Sequence, residues 1–202
     1  MAGFKVTPEA IPTKIEPEVG EDEEKSTPFP PLEDVIPQLS DPTPGWEPKE
    51  RRSGAGGGSG TWNRPLTARD LERDCAVGRR GEEIILRLEQ KRVRELGFPE
   101  DRVRWIAEEF PTADYDVLSV DDDGEELIIE VKSTTGRDGR FHWTRSEFQR
   151  AVSARERYLL YRVYFATSYT PIVRSFRDPI AILANGIVRL DVDVFHGEVE
   201  PI

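Results

Sequence analysis

Three charged residues near the middle of the chain have the types and spacing of a hydrolytic metal site. Asp116 opens one strand-like run, and Glu130 and Lys132 end the next run as Glu-x-Lys. Side chains alternate between the faces of a strand, so Glu130 and Lys132 point the same way, roughly 6 to 7 Å apart. Two carboxylates can hold Mg²⁺ or Mn²⁺, and a nearby ammonium can orient or help deprotonate a water and offset charge on phosphorus. The trio therefore predicts metal-dependent phosphodiester cleavage.

The connection between the two runs predicts how these side chains meet. The acidic sequence Asp121–Gly124 is a turn signal, so the runs are expected to form a hairpin that brings Asp116 across from Glu130. A plainer interpretation is that Glu-x-Lys is an ordinary ion pair on a strand. Beyond the first 60 residues, however, the chain has 22 basic residues, of which only Lys91 and Lys132 are lysines. A lysine kept at this position suggests a need for a compact charge whose pKa can shift.

A helix with a further acidic residue is predicted before both runs. It begins near Gly78 and runs toward Gly97, which is a natural C-terminal stop. Apolar residues recur at helical spacing on one face, and Glu82 lies at the N-terminal end of that face, which is expected to pack on the sheet. Glu82 is therefore a fourth candidate catalytic residue. A carboxylate in the first helical turn would also be explained by the helix dipole alone.

The order of these motifs resembles the NOV C-terminal domain family, over roughly residues 70 to 176. That family is a domain of unknown function in the Mrr-like branch of the PD-(D/E)xK, restriction-endonuclease-like superfamily. The segments that carry the resemblance are Gly78-x-x-Gly81-Glu82, Gly97, Val103-x-Trp105, Tyr115-Asp116-Val117, Ile129-Glu130-Val131-Lys132-Ser133-Thr134, Phe141-x-x-Thr144-x-x-Glu147 and Tyr158-x-x-Tyr161-Arg162-Val163.

The resemblance implies a fold, a site and an activity. The implied fold is α/β, with a restriction-endonuclease-like mixed central sheet flanked by helices. Asp116 and Glu130 would bind the metal with the carbonyl of Val131, Lys132 would be the catalytic lysine, and Glu82 the helix-borne acid. The implied activity is Mg²⁺-dependent (or Mn²⁺-dependent) DNA endonuclease, in defence against foreign DNA. The alternative is a catalytically inactive nuclease-fold module that binds nucleic acid or a partner protein. The presence of Asp116, Glu130 and Lys132 favours the enzyme, because an active site that has lost its function usually lacks at least one such residue.

The first 62 residues differ in composition from the rest of the chain. They are rich in proline and acidic residues and include the glycine run Gly54–Gly60. Such a segment cannot bury enough apolar surface to offset its ordering entropy. Residues 1–62 are therefore predicted to be a disordered tether, and residues 63–202 to form the nuclease-like domain. An alternative is a docking peptide, because Phe29–Leu39 carries sparse apolar anchors that suit a protein partner.

The charge of the chain is unevenly distributed. The net charge of −11 argues against a generic nucleic-acid binder, and the first 60 residues alone have six basic and twelve acidic residues. From Lys132 to Arg177 the balance reverses, with ten basic and three acidic residues. A basic face next to the candidate site predicts contact with the DNA backbone, although a solvated arginine-rich surface is the alternative. The candidate contacts are Arg137, Arg140, Arg145 and Arg150.

Further patterns bound the structure and the location of the protein. Thr144-x-x-Glu147 predicts a helix capping box, which gives Glu147 a structural role. Trp143 is expected in the core. The single cysteine, Cys75, excludes an internal disulfide framework. No run approaches the length of a membrane span and no apolar signal core is present, so we expect a cytoplasmic protein without a membrane partner. A homodimer is left open.

Overall fold

The computed structural model describes residues 29–41, 68–137 and 139–184, which form a mixed α/β domain. None of the helices in these ranges is both long and apolar enough to cross a membrane. The helices are α1 Ala68–Glu95, α2 Ile106–Glu109, α3 Arg145–Ala154 and α4 Pro179–Ala184, and the strands are β1 Gln38–Leu39, β2 Arg104–Trp105, β3 Val117–Val120, β4 Glu126–Ser133, β5 Tyr158–Tyr164 and β6 Ile172–Arg177.

These six strands form one mixed sheet in the order β1-β6-β5-β4-β3-β2. Strands β2, β3 and β4 are an antiparallel meander, whereas β4 and β5 are parallel. A parallel pair needs a crossover connection, which α3 supplies. Strand β6 is antiparallel to β5, and β1 pairs with β6 in parallel at the far edge. The predicted fold class, a mixed central sheet flanked by helices, is confirmed.

Helices cover both faces of the sheet and create two apolar cores. Ile85 and Val93 of α1 share one buried cluster with Ile129 of β4. On the other face, Ala151 of α3 belongs to a second cluster with Tyr158 of β5. Because side chains alternate along a strand, the even-numbered residues of β4 lie on the α3 face and the odd-numbered ones on the α1 face.

A buried carboxylate fixes α1 on the sheet. Glu89 of α1 is 0% exposed and accepts hydrogen bonds from the Ser119 hydroxyl of β3 at 2.6 Å and the Tyr161 hydroxyl of β5 at 2.7 Å. Arg92 of the same helix lies 2.6 Å from it. A buried charge is costly unless it is paired and hydrogen-bonded, so these contacts define how α1 is rotated against the sheet.

Helix α1 begins about ten residues earlier than predicted, at Ala68 and not near Gly78. Its end agrees with the prediction, because Gly97 has a φ of +88°, the left-handed conformation common after a helix. The glycines at positions 78 and 81 lie inside the helix and do not mark its start. Glu82 is therefore in the helix interior, and the helix dipole does not explain it.

Residues 29–41 pack on the domain, which corrects the prediction of a disordered arm for this segment. Backbone N–H groups of Ile36, Gln38 and Ser40 donate to the carbonyls of Tyr169, Pro171 and Val173, respectively, at 2.8 to 3.0 Å.

The same segment is also held by apolar contacts and by α1. Phe29, Leu32 and Val35 pack against the α1-side core, and the Arg80 guanidinium of α1 donates to the carbonyl of Pro30. Three of the apolar anchors considered for a docking peptide thus contact the chain's own domain, whereas Ile36 and Leu39 are exposed. This segment can pair with β6 because, without β1, β6 would be an edge strand with unpaired backbone groups. The rest of the predicted arm and residues 185–202 of the predicted domain lie outside the described residues.

A pair of substitutions tests this packing. Val35→Asp places a carboxylate against the apolar core, so we expect the thermal midpoint Tm to fall by several degrees. Ile36→Asp is the matched control, because the neighbouring side chain is 68% exposed and its change should leave Tm nearly unaltered. Thermal unfolding followed by circular dichroism makes the comparison. Equal and small effects of both substitutions would mean that the segment does not pack on the domain in solution.

Candidate active site

The β3–β4 hairpin brings Asp116 and Glu130 together, as predicted. Val117 of β3 pairs with Ile129 of β4, and the N–H of Asp116 donates to the Ile129 carbonyl at 2.9 Å. The Oδ2 atom of Asp116 accepts from the N–H of Val131 at 2.7 Å. Asp116 therefore lies opposite Glu130, with its carboxylate held against the backbone of β4.

The predicted acidic turn sets the register of this hairpin. The Oδ1 atom of Asp121 accepts from the N–H groups of Asp123 and Glu125 at 3.0 and 2.9 Å. Gly124 has a φ of +82°, a conformation that glycine adopts without steric cost. Because a one-residue slip would turn every side chain to the other face, the turn determines which residues meet.

Lys132 lies between two carboxylates. Its Nζ atom is 2.6 Å from Oε1 of Glu130 and 2.8 Å from Oε2 of Glu147. Glu130 and Lys132 are 2% and 18% exposed, respectively, so the pair is largely shielded from water. The ordinary ion pair between Glu130 and Lys132 that the alternative interpretation predicts is thus present. It does not account for Oε2 of Glu130, which is buried and has no hydrogen-bond partner among the described residues.

Helix α1 brings Glu82 to the same place. The Trp105 side chain of β2 donates its Nε1–H to Oε2 of Glu82 at 2.7 Å. Immediately before it, α1 approaches β4 so closely that a Cβ atom on Gly81 would lie 1.6 Å from Oγ of Ser133. Only glycine allows this approach, and the approach places Glu82 beside the strand residues.

The four predicted catalytic residues line one cavity of about 460 Å³. They are Glu82, Asp116, Glu130 and Lys132, and Val131 is part of the same wall. The wall also contains charged side chains from the helices, from β5 and from the segment before α3. These are Arg73, Asp74, Arg140, Glu147 and Arg162.

Burial and mutual repulsion raise the pKa of the acidic groups. Burial, followed by the charge of Glu82, raises the pKa of Asp116 to about 7. Burial and then Asp116 raise the pKa of Glu130 well above its usual value, and burial also raises that of Glu82. Burial acts to lower the pKa of Lys132, but its two carboxylate partners raise it overall. The cavity therefore holds more carboxylate groups than its lysine can neutralise.

Glu147 has a role that its sequence pattern did not reveal. The predicted capping box forms, with the Glu147 N–H donating to the Thr144 hydroxyl and the Thr144 N–H donating to Oε2 of Glu147. The same carboxylate contacts Lys132. Local spacing predicts the cap, whereas the contact with Lys132 depends on how α3 lies over β4.

Two further site residues were missed by the sequence analysis. Trp105 holds Glu82, and Arg162 of β5 lies directly beside Lys132 in the parallel β4–β5 pairing. Arg162 is 2% exposed, and its guanidinium lies 5.4 Å from the centre of the Phe141 ring. Both residues lie in segments that carry the family resemblance, and that resemblance was the signal in the sequence that could have identified them.

The four arginines predicted to contact DNA lie in different surroundings. Arg140 lines the cavity, while Arg137 and Arg145 are exposed outside its wall. The Nε–H of Arg150 donates to both carboxylate oxygens of Asp114, at 3.1 and 3.0 Å. Of the four, Arg140 is therefore at the site, and the charge of Arg150 is balanced by the Asp114 carboxylate. Their contact with DNA stays a prediction.

Comparison with known proteins agrees with the predicted resemblance. Residues 81–175 match the family model described as Protein NO VEIN, C-terminal. Over this range the chain is similar to that family. The matched range includes Glu82, Asp116, Glu130 and Lys132. No significant match was found among curated proteins or among solved structures.

Substitutions at the two helix glycines test how Glu82 is positioned. Alanine favours a helix interior over glycine by about 1 kcal/mol, so helix propensity alone would stabilise both variants. Gly81→Ala is expected to lower Tm by several degrees, because the new Cβ atom collides with Ser133. Gly78→Ala is the matched control, since no atom lies within 4 Å of its Cβ position, and should keep or raise Tm. A Gly81→Ala protein as stable as the control would contradict the close approach.

The pKa of Asp116 predicts a pH dependence of stability. A carboxyl group whose folded-state pKa is raised to about 7 favours folding at acidic pH, and this contribution is lost as pH rises through about 7. Asp116→Asn removes that loss and still accepts from the Val131 N–H. In EDTA we expect its Tm to exceed that of the wild type by a few degrees at pH 8 and by less at pH 5.

Asp114→Asn serves as the control for this measurement, because the Asp114 carboxylate is paired with Arg150. Its substitution should give no gain in Tm at pH 8. A Tm difference between Asp116→Asn and wild type that is the same at both pH values would argue against the raised pKa.

Proposed function

We propose that the domain is a divalent-metal-dependent DNA endonuclease of the PD-(D/E)xK, restriction-endonuclease-like superfamily, in its Mrr-like branch. The observation that carries the proposal is the convergence of Asp116, Glu130 and Lys132 from two paired strands, with Glu82 of α1 in the same cavity. This is the residue arrangement that the resemblance implies for metal-dependent phosphodiester hydrolysis. A role in defence against foreign DNA is proposed from the resemblance alone.

The residues of the cavity fit Mg²⁺ or Mn²⁺. Asp116 and Glu130 offer carboxylate oxygens, and Oε2 of Glu130 is buried without a protein donor in the described part of the chain. Within that part, no group of three or more His, Cys, Asp or Glu residues is arranged to hold a metal ion. Mg²⁺ commonly needs only one or two carboxylates, together with waters and substrate phosphate oxygens. The carbonyl of Val131 is the third proposed protein ligand.

The proposed chemistry divides between the metal and the protein side chains. A bound divalent ion would polarise the phosphate and lower the pKa of a bound water. Lys132 is kept protonated by Glu130 and Glu147, so it suits stabilisation of negative charge on phosphorus better than proton removal. Burial shifts the pKa of Glu82 upward, towards the range in which a carboxyl group can exchange a proton at neutral pH.

Recognition of DNA is proposed to depend on local positive charge. The total charge of the chain is −11, yet Arg140 lines the cavity and Arg137 and Arg145 are exposed nearby in sequence. Phosphate contact requires cations at the site and does not require a positive total charge. Arg150 is a weaker candidate, because its charge is balanced by Asp114.

A second candidate function is a catalytically inactive module that binds nucleic acid or a partner protein. It is favoured by the double ion pair of Lys132, because two carboxylates already neutralise the charge that catalysis would use. The two functions differ in whether the metal-loaded protein cuts DNA.

Incubation of the purified full chain with plasmid, linear duplex and single-stranded DNA tests the proposal. Each substrate is mixed with Mg²⁺, Mn²⁺ or EDTA, and the products are separated on gels. We expect cleavage with a divalent metal, none in EDTA, and none by Asp116→Ala or Glu130→Ala. Calorimetry should show Mn²⁺ binding by the wild type and a large loss in both variants. Binding of DNA or protein without cleavage under any metal would establish the second candidate.

The role of Lys132 is tested separately from binding. Lys132→Met keeps the apolar stem and deletes the charge, so a charge that acts in the transition state should be lost with little change in DNA affinity. We expect cleavage to fall at least about a hundredfold, with DNA affinity nearly retained. Lys91→Met is the matched control, since this lysine is 66% exposed on α1 and should be silent. A fall in affinity that matches the fall in cleavage would instead assign Lys132 to phosphate binding.

A further inference from the structure

Helix α1 forms one wall of the cavity that contains the candidate site. The turns of the helix before Glu82 contribute Arg73, Asp74, Val77 and Gly78 to this wall. No atom lies within 4 Å of the position that a Cβ atom on Gly78 would occupy, so the space beside it is open. The wall therefore leaves room for a ligand that extends from the candidate site along the helix.

Arg73 differs from most other cations of α1 because it has no carboxylate partner. Its side chain is exposed and forms no ion pair or hydrogen bond with the residues that the structure describes. One turn further along the helix lie Ala76 and Val77, which cannot form the usual ion pair at that spacing. Most other cations of this helix are ion-paired: Arg79 with Glu108, Arg80 with Glu83, Lys91 with Glu95, Arg92 with Glu89, and Arg94 with Glu100.

The other cations that line the cavity differ in their access to a ligand. Lys132 is already ion-paired with two carboxylates. Arg162 is only 2% exposed. Among the described residues of the cavity wall, the exposed arginines are Arg73 and Arg140.

These two arginines reach the cavity from opposite faces of the sheet. Arg73 belongs to α1, which packs on the face of the odd-numbered β4 residues. Arg140 directly precedes Phe141, whose ring lies over the guanidinium of Arg162. Arg162 pairs with Lys132 on the α3 face of the sheet. The cavity therefore has an exposed arginine on each side.

A guanidinium group has only donors, and its planar fork fits two oxygens of one phosphate group. We propose that Arg73 binds a backbone phosphate of a nucleic-acid strand that lies in the cavity. The inference rests on the proposed function for the identity of this ligand, which is the DNA substrate.

The position of Arg73 on the helix determines which phosphate it contacts. Glu82 lies nine residues further along α1, roughly 13 Å at 1.5 Å per residue. Helix side chains also lean toward the N-terminus, which directs Arg73 away from Glu82. Arg73 therefore contacts a phosphate further along the strand than the one at the metal site, and it contributes to binding and not to the chemical step.

A DNA-binding experiment with the full chain tests this role. Fluorescein-labelled single-stranded and duplex DNA are titrated in Ca²⁺ at several salt concentrations, and binding is followed by fluorescence anisotropy. Arg73→Gln should weaken binding about tenfold and reduce the slope of log affinity against log salt by about 0.7 to 0.9, because one phosphate contact is lost. Asp74→Asn removes a negative charge from the same wall and should strengthen binding.

Arg87→Gln is the matched control. Arg87 is also exposed on α1 and unpaired among the described residues, but it lies outside the cavity wall, so affinity and slope should not change. Glutamine has nearly the helix propensity of arginine, so both variants should keep the wild-type Tm. Wild-type affinity and slope in Arg73→Gln, or an equal loss in Arg87→Gln, would overturn the inference. So would a wild type that binds neither form of DNA.

Cleavage of the same DNA in Mg²⁺ or Mn²⁺ separates this inference from the proposed function. Where the wild type cuts, Arg73→Gln should keep the wild-type rate at saturating DNA and lose rate at low DNA concentration. Weaker binding by Arg73→Gln, with no cleavage by the wild type under any metal, would support the inference and overturn the nuclease. Cleavage by the wild type, with unchanged DNA affinity in Arg73→Gln, would overturn the inference alone.

Discussion

The candidate site depends on the two ion pairs that the ammonium group of Lys132 forms. This ammonium group joins Glu130 of β4 to Glu147 of α3, so the crossover helix is tied to the strand that carries the acid. Without this cation, the burial of Glu130 beside Asp116 would be still more costly, because like charges in a shielded cavity repel. Burial, and after it the charge of neighbouring carboxylates, raises the pKa of Asp116 and of Glu130.

Helix α1 is the second element that the site requires, and it is fixed at two points. The hydrogen bonds of Glu89 set its rotation on the sheet, and the missing side chain at Gly81 sets how closely it approaches β4. Glu82 then reaches Trp105 and the cavity. The segment 29–41 adds a further attachment through Arg80, so a segment predicted to be disordered contributes to the same scaffold.

The sequence by itself determined the local geometry of the site. Alternation along β4 placed Glu130 and Lys132 on one face, and the acidic turn defined the register that set Asp116 opposite Glu130. The same kind of local pattern predicted the Thr144 cap and the helix end at Gly97. Each of these features depends on residues close together in the chain, whose spacing alone decides which side chains share a face.

Only the tertiary structure decided which distant elements meet. Nothing in local spacing indicated that Glu147 would contact Lys132, that Asp114 would pair with Arg150, or that residues 29–41 would close the sheet edge. Gly78 indicated a helix start because glycine is unfavourable inside a helix, whereas the close approach of Gly81 to Ser133 depends on how α1 packs on β4. Such contacts join residues far apart in the chain, and their formation depends on the packing of whole helices on the sheet. The sequence therefore indicated which side chains have suitable chemical groups, whereas the fold determined which residues they contact.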